Sequence, residues 1–248
     1  MVSLRSILVF LAVTGWTACA GLVWIARETI FAKVERHFSS PDAVFQARLE
    51  HRMAEAAAAQ WFDSRPTLLF LGDSHMEMGP WYTQFKGRYA VCNYGLSRAQ
   101  IGHVTQIAAR VPSDRFAGLV LMCGINNIGV ETRVDDCLRD YQGLLAEVKR
   151  LVPAGRVLVF PILPVRAAAG DARAEKINQI VAAVNVGLRE LCRASGAHYL
   201  DSVDRLLDNG ALRPGVTWDG LHLNELGYAL LAEKLDAAIQ AHIPQNHE

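Results

Sequence analysis

The 248-residue sequence has no excess charge of either sign, because 25 Lys and Arg residues balance 25 Asp and Glu residues. Surfaces that bind a phosphate backbone typically have a basic run interleaved with aromatic residues, and the sequence has no such run. These two absences argue against nucleic acid as a partner. With 51% apolar and 20% charged residues, the composition is that of a folded globular protein and not of a disordered chain.

Metal-binding spacings are also missing. None of the eight histidines forms an H-x-x-x-H pair, and the five cysteines form no C-x-x-C pair, so we expect no metal site. Cys92 and Cys123 lie in apolar runs, which favours buried free thiols over disulfides. The absence of a G-x-S-x-G stretch argues against the α/β-hydrolase fold with its nucleophile elbow.

Charged residues are absent from residue 6 to residue 26. About 21 residues of helix span roughly 31 Å, close to the ~30 Å hydrocarbon core of a bilayer, so we predict a single-pass transmembrane helix. A cleaved signal peptide is the alternative, because Arg5 is basic and Ala18–Ala20 has the A-x-A pattern. The apolar residues 22–25 continue past that pattern and favour the anchor. We expect the rest of the chain outside the cytoplasm, in a periplasmic location, or secreted if the segment is cleaved.

The predicted organisation has three parts. Residues 1–27 form the anchor or signal peptide, residues 28–65 form a juxtamembrane helical segment, and residues 66–248 form one catalytic-sized domain. Within the second part, Ser40 is a suitable N-cap and Pro41 a suitable first residue for a new helix.

From residue 67 onward, short apolar runs alternate with amphipathic helical patterns. Strands are predicted at residues 67–71, 89–93, 118–123, 156–162 and 197–201, and helices at residues 99–110, 134–152, 173–195 and 224–241. Because the strand runs are almost continuously apolar, both faces of the sheet must be covered by helices. We therefore predict a three-layer α/β/α sandwich with a five-stranded parallel sheet of the flavodoxin-like kind.

Polar residues follow several of these strands, at the sheet edge where doubly wound folds bind ligands. Ser74 comes directly after the first strand, and Asp219 and His222 precede the last helix. A serine hydroxyl becomes a nucleophile when an imidazole takes its proton and a carboxylate holds that imidazole in the right tautomer. Ser74, His222 and Asp219 are therefore the predicted nucleophile, base and orienting acid.

Such chemistry also needs donors for a developing oxyanion. The predicted donors are the N–H groups of Ser74 and Gly95 and the side-chain amide of Asn126. Neighbouring residues are given other roles: Asp73 and Asn93 brace their turns, His75 lines or borders the pocket, and Trp81 and Trp218 either shape the pocket or pack.

Four sequence blocks carry these residues, namely GDSH with Ser74, NYG with Gly95, GINN with Asn126, and DGLH with Asp219 and His222. In order and spacing they resemble the blocks of the SGNH hydrolases, also called GDSL esterases and lipases. The resemblance covers about residues 67–239. It implies a serine esterase that needs no cofactor.

The resemblance leaves the acyl-ester substrate open. Anchoring at a membrane favours an O-acyl group, such as acetyl, on an exported glycan, or a lipid, over a soluble metabolite, and we rank the glycan first. The alternatives are an O-acyltransferase with the same triad, a lipase or lysophospholipase, a thioesterase, or a non-catalytic binding module. The oligomeric state is not predicted.

Overall fold

The computed structural model describes residues 41–60, 65–112, 116–168, 170–201 and 203–244. The chain divides into two compact units, Met1–Glu50 and His51–Glu248. The predicted anchor at residues 6–26 lies outside the described residues. Among the residues that are described, no helix has both the length and the apolarity needed to cross a membrane. The predicted domain boundaries after residues 27 and 65 stay predictions.

The second unit is built on a sheet of five parallel strands. These are β1 (Thr67–Gly72), β2 (Ala90–Gly95), β3 (Phe116–Met122), β4 (Val157–Val159) and β5 (His198–Tyr199). Their order across the sheet is β2-β1-β3-β4-β5. The chain therefore builds outward from β1 in both directions, which confirms the predicted flavodoxin-like α/β fold. A short antiparallel pair, β6 (Leu207–Asp208) and β7 (Ala211–Leu212), forms a separate small sheet.

One helix, α1 (Pro41–Gln60), precedes the sheet in the chain. The helices that connect and cover the strands are α2 (Ser74–Met78), α3 (Trp81–Phe85), α4 (Ile101–Arg110), α5 (Val134–Val148), α6 (Ala172–Ser195) and α7 (Glu225–His242). Four of them agree with the sequence prediction to within a few residues. The apolar stripes of α4 and α5 and the αL glycine that ends α6 explain where these helices form and stop.

Both faces of the sheet are buried, as its continuously apolar strands require. On one face, Phe70 and Val120 belong to the same apolar cluster as Leu235 of α7. The strand residues that point the other way, such as Leu69 and Leu121, are also fully buried. A sheet covered in this way leaves its strand ends as the place where polar side chains can meet.

Strand β4 is shorter than predicted. Its prediction extended to residue 162, but the strand ends at Val159. Phe160 still donates its N–H to Leu121, whereas Pro161 has no N–H with which to continue the ladder. Strand β5 is an edge strand that pairs with β4 alone over two residues.

Candidate active site

Ser74 lies at the turn between β1 and α2. At Gly72 a side chain is impossible, because a Cβ would lie 1.9 Å from the carbonyl oxygen of Met122 in the neighbouring strand. Asp73 then caps α2 by accepting the N–H of His75 at 3.0 Å. Ser74 is consequently the first residue of the helix, and its own N–H has no partner among the described residues.

Asp219 and His222 belong to a loop that its own polar groups hold in shape. The carboxylate of Asp219 accepts the backbone N–H groups of Leu221 and His222 at 2.9 and 2.7 Å. Thr217 is buried, and its hydroxyl donates to the His222 carbonyl at 2.7 Å while accepting the Gly220 N–H at 3.0 Å. These bonds fix the ring of His222 relative to the carboxylate of Asp219.

The structure brings the three predicted side chains into one hydrogen-bonded row. The His222 Nε2 atom lies 3.0 Å from the Ser74 Oγ atom, and the His222 Nδ1 atom lies 2.5 Å from Asp219 Oδ2. Because a carboxylate only accepts, Nδ1 carries the proton and Nε2 is free to accept the proton of Ser74. Ser74 is 4% exposed, whereas the side chains of His222 and Asp219 are 20% and 46% exposed.

The carboxylate of Asp219 stays ionised over a wide pH range. Its partial burial would raise its pKa, but the hydrogen bonds from the His222 ring and from two backbone N–H groups lower that pKa to about 2. Above that pH the carboxylate can hold the imidazole and stabilise an imidazolium.

Asn126 lies in the short 3₁₀ turn Ile125–Asn127 that follows β3. Its side-chain Nδ2 group donates one proton to the Ala99 carbonyl at 3.0 Å. The second Nδ2 proton has no partner within the described parts of the chain. Asn126 is thus docked against the loop that follows β2 and retains one donor.

The geometry does not favour Gly95 as an oxyanion donor. Its N–H donates to the Asn93 side chain at 2.8 Å, and a Cβ at this position would lie 2.3 Å from the Glu77 nitrogen. Glycine is therefore required here because β2 approaches the backbone of α2. To bind an oxyanion, the Gly95 N–H would first have to leave Asn93.

The sequence prediction missed Arg98, whose backbone N–H has the properties of an oxyanion donor that were expected of the Gly95 N–H. It is in the left-handed region with φ 70°, and its N–H has no partner among the described residues. The next residue, Ala99, supplies the carbonyl that binds Asn126. No residue-type signal predicts this conformation, because glycine and asparagine are the usual left-handed residues.

The neighbouring residues agree with only part of the prediction. Asp73 and Asn93 brace their turns, and Trp81 is buried in the core with its Nε1 group donating to Met76. His75 does not border the pocket, because it is 1% exposed behind the site. Trp218 is 69% exposed, and its ring centroid lies 6.2 Å from that of His222.

The cysteines take no part in this row of hydrogen bonds. Cys92, Cys123, Cys137 and Cys192 are buried free thiols, as predicted. Across the described residues, no group of three or more His, Cys, Asp or Glu side chains could hold a metal ion.

The profile of the GDSL-like lipase/acylhydrolase family matches residues 70–230, which is well over half of the chain. The chain therefore belongs to this family, and it is an enzyme that hydrolyses ester bonds. The family resemblance inferred from the four sequence blocks is confirmed. No curated protein matches the chain significantly.

Several solved structures have the same fold. One is a Streptococcus pneumonia protein whose name refers to platelet activating factor. It is 22% identical to this chain with a TM-score of 0.67, and the match covers 84% of this chain and 98% of that one. A GDSL-like lipase from Bacteroides thetaiotaomicron is 17% identical with TM-score 0.61, covering 79% of this chain and 98% of its own. An acetyl-xylooligosaccharide esterase from Geobacillus, solved as a mutant, is 16% identical with TM-score 0.55, covering 74% and 97%. At these identities the likeness concerns the fold alone.

Proposed function

We propose that the protein is a serine esterase in which Ser74 is the nucleophile, His222 the general base and Asp219 the residue that orients the base. The observation that carries this proposal is the row of two hydrogen bonds, 3.0 Å from Ser74 to His222 and 2.5 Å from His222 to Asp219. The first distance is in the range in which the hydroxyl proton of Ser74 can move to the ring, and the second bond holds the ring in the tautomer that can accept it.

The reaction follows from these positions. As Ser74 Oγ attacks the acyl carbonyl carbon, His222 Nε2 takes the hydroxyl proton, and Asp219 stabilises the imidazolium. The proton then passes to the leaving alkoxide, so that an alcohol departs and the acyl group stays on Ser74. Water, deprotonated by His222, attacks the acyl-enzyme and releases the carboxylic acid and the free hydroxyl.

The oxyanion is stabilised by donors to which the described part of the chain offers no other partner. We assign this role to the N–H groups of Ser74 and Arg98 and to the free Nδ2 proton of Asn126. These donors lie shortly after the ends of β1, β2 and β3, which are adjacent strands in the sheet. Preorganised donors of this kind stabilise the transition state more than water does because they need no reorganisation.

The proposed substrate is an O-acyl group, with acetyl preferred, on a glycan. Trp218 supports it, because an apolar ring that is 69% exposed beside the base offers a flat surface on which a sugar ring can pack. The similarity in fold to an esterase of acetyl-xylooligosaccharides is consistent with this substrate class.

The location is a further part of the proposal. The uncharged residues 6–26 support a membrane anchor that holds the enzyme on the extracytoplasmic side, where exported glycans occur.

A chain-length series tests the substrate. Purified full-length protein would be assayed on p-nitrophenyl esters from acetate to palmitate and on an acetylated oligosaccharide, with free acid and acyl transfer to added sugar both quantified. We expect acetate to be released fastest, and release from the oligosaccharide to fall in a Trp218→Ala variant while p-nitrophenyl acetate hydrolysis is kept. A preference for long acyl chains would refute the glycan assignment, and acyl transfer without free acid would identify a transferase.

A further inference from the structure

His75 follows the nucleophile in sequence, yet its side chain points into the protein. The residue is 1% exposed. Its Nδ1 atom lies 3.2 Å from Asp73 Oδ1, and its Nε2 atom lies 3.0 Å from the carbonyl oxygen of Leu221. The imidazole therefore links the turn that carries Ser74 to the residue immediately before His222.

Both partners of the ring are acceptors. A carbonyl oxygen has no proton to give, and a carboxylate accepts only, so each nitrogen of His75 must donate. Two donating nitrogens make the ring an imidazolium, and the Asp73 carboxylate balances its charge. Buried charges are normally paired in this way because an isolated one is costly to desolvate.

The surrounding groups favour the charged ring. Burial by itself would lower the pKa of His75, but the hydrogen bond and charge of Asp73, the Leu221 carbonyl and the charge of Asp219 together raise it above its ordinary value of 6.5. Two further titratable residues lie close to His75: His222, whose ring centroid is 5.9 Å away, and Tyr228, whose hydroxyl donates to the His75 carbonyl at 3.0 Å.

We propose that His75 is a positioning residue, a buried imidazolium that ties Asp73 to the Leu221 carbonyl and thereby holds the His222 ring at hydrogen-bonding distance from Ser74. This role rests on the proposed function. Two of the segments that must meet for catalysis are distant in sequence, and the His75 ring joins them directly. Loss of the bond would let the His222 loop shift relative to the nucleophile without removing any group that touches the substrate.

The test compares His75→Leu, His75→Gln and the control His198→Gln in the full-length protein. The control removes His198, a histidine in the edge strand β5. Its ring also donates to a backbone carbonyl, that of Gly155, at 3.1 Å. Each variant would be assayed for kcat and KM on p-nitrophenyl acetate, for the rate of Ser74 phosphorylation by diethyl p-nitrophenyl phosphate, and for thermal unfolding.

We expect His75→Leu to lower kcat and the phosphorylation rate by about 10- to 100-fold with little change in KM, because small displacements of catalytic groups have effects of this size. His75→Gln, which can keep one donor toward Leu221, should fall between His75→Leu and wild type, and His198→Gln should match wild type. In wild type, proton-nitrogen NMR should show both His75 ring nitrogens protonated at pH 7. Above the raised pKa of His75 the ring loses a proton, so kcat should decline on the alkaline side in wild type.

If the wild-type enzyme is active and a folded His75→Leu variant has the same kcat, the positioning role alone is overturned. If neither variant folds, the NMR spectrum decides, because a neutral His75 ring at pH 7 would overturn the proposal and a doubly protonated ring would support it. A wild type that neither hydrolyses esters nor reacts at Ser74 would overturn the proposed function, and the positioning role with it.

Discussion

Replacing Asp219 with asparagine tests how the imidazole is oriented. Asparagine keeps an oxygen that can accept the backbone N–H groups of Leu221 and His222, so the loop should retain its shape. However, its NH₂ group would face His222 Nδ1 and favour the tautomer with the proton on Nε2. That proton would then point at Ser74 and block the base.

The expected loss can be estimated from the exposure of the pair. Placing a buried triad in the wrong tautomer typically lowers kcat by about 10⁴-fold. Here the Asp219 side chain is 46% exposed and water can partly replace it as an acceptor, so we expect about 10³- to 10⁴-fold. At ~1.36 kcal/mol per factor of ten this corresponds to about 4 to 5.5 kcal/mol of transition-state stabilisation.

The assay is kcat and KM on p-nitrophenyl acetate between pH 6 and pH 8. Because the pKa of Asp219 is about 2, the wild-type carboxylate is charged throughout this range, and the loss should not vary with its titration. The control is Asp201→Asn, which removes an exposed carboxylate paired with Arg189 at 2.7 Å, and it should leave kcat unchanged. A loss below tenfold in a folded Asp219→Asn variant would refute the orienting role.

Two further predictions concern the proposed oxyanion donors. Asn126→Ala should lower kcat by about 10²- to 10³-fold with KM nearly constant, because one preorganised donor is removed; steady-state kinetics would measure this, and an unchanged kcat would exclude the amide from the site. Arg98→Gly should keep kcat within about twofold and stabilise the fold by up to ~1 kcal/mol, since glycine relieves the strain at φ 70° and retains the N–H. Denaturant unfolding would measure that stabilisation, and a large fall in kcat would show that the Arg98 side chain, and not its backbone, is needed.

The convergence of Ser74, Asp219 and His222 could be predicted from the sequence. Apolar strands of a parallel sheet end at one edge, so a hydroxyl directly after a strand and an Asp-x-x-His loop before the last helix have few other places to lie. The strand positions were also predictable, because buried parallel strands have an almost continuously apolar sequence.

The proposed oxyanion donors could be predicted less well from the sequence. Gly95 was the natural expectation, since a glycine can approach a ligand closely, but the Cβ it lacks would instead collide with the Glu77 nitrogen. The left-handed conformation of Arg98 results from the loop as a whole and is not typical of arginine. The burial of His75 could not be predicted either, because its hydrogen-bond partner Leu221 is 146 residues away in the sequence.

The most direct test is the reaction of the full-length protein with a fluorophosphonate, followed by peptide mass mapping and an esterase assay on the same sample. The proposed function predicts one label per chain on Ser74, loss of hydrolysis in proportion to labelling, and no label in Ser74→Ala or His222→Ala variants that remain folded. Full hydrolysis by protein labelled at Ser74, or by folded Ser74→Ala protein, would contradict it.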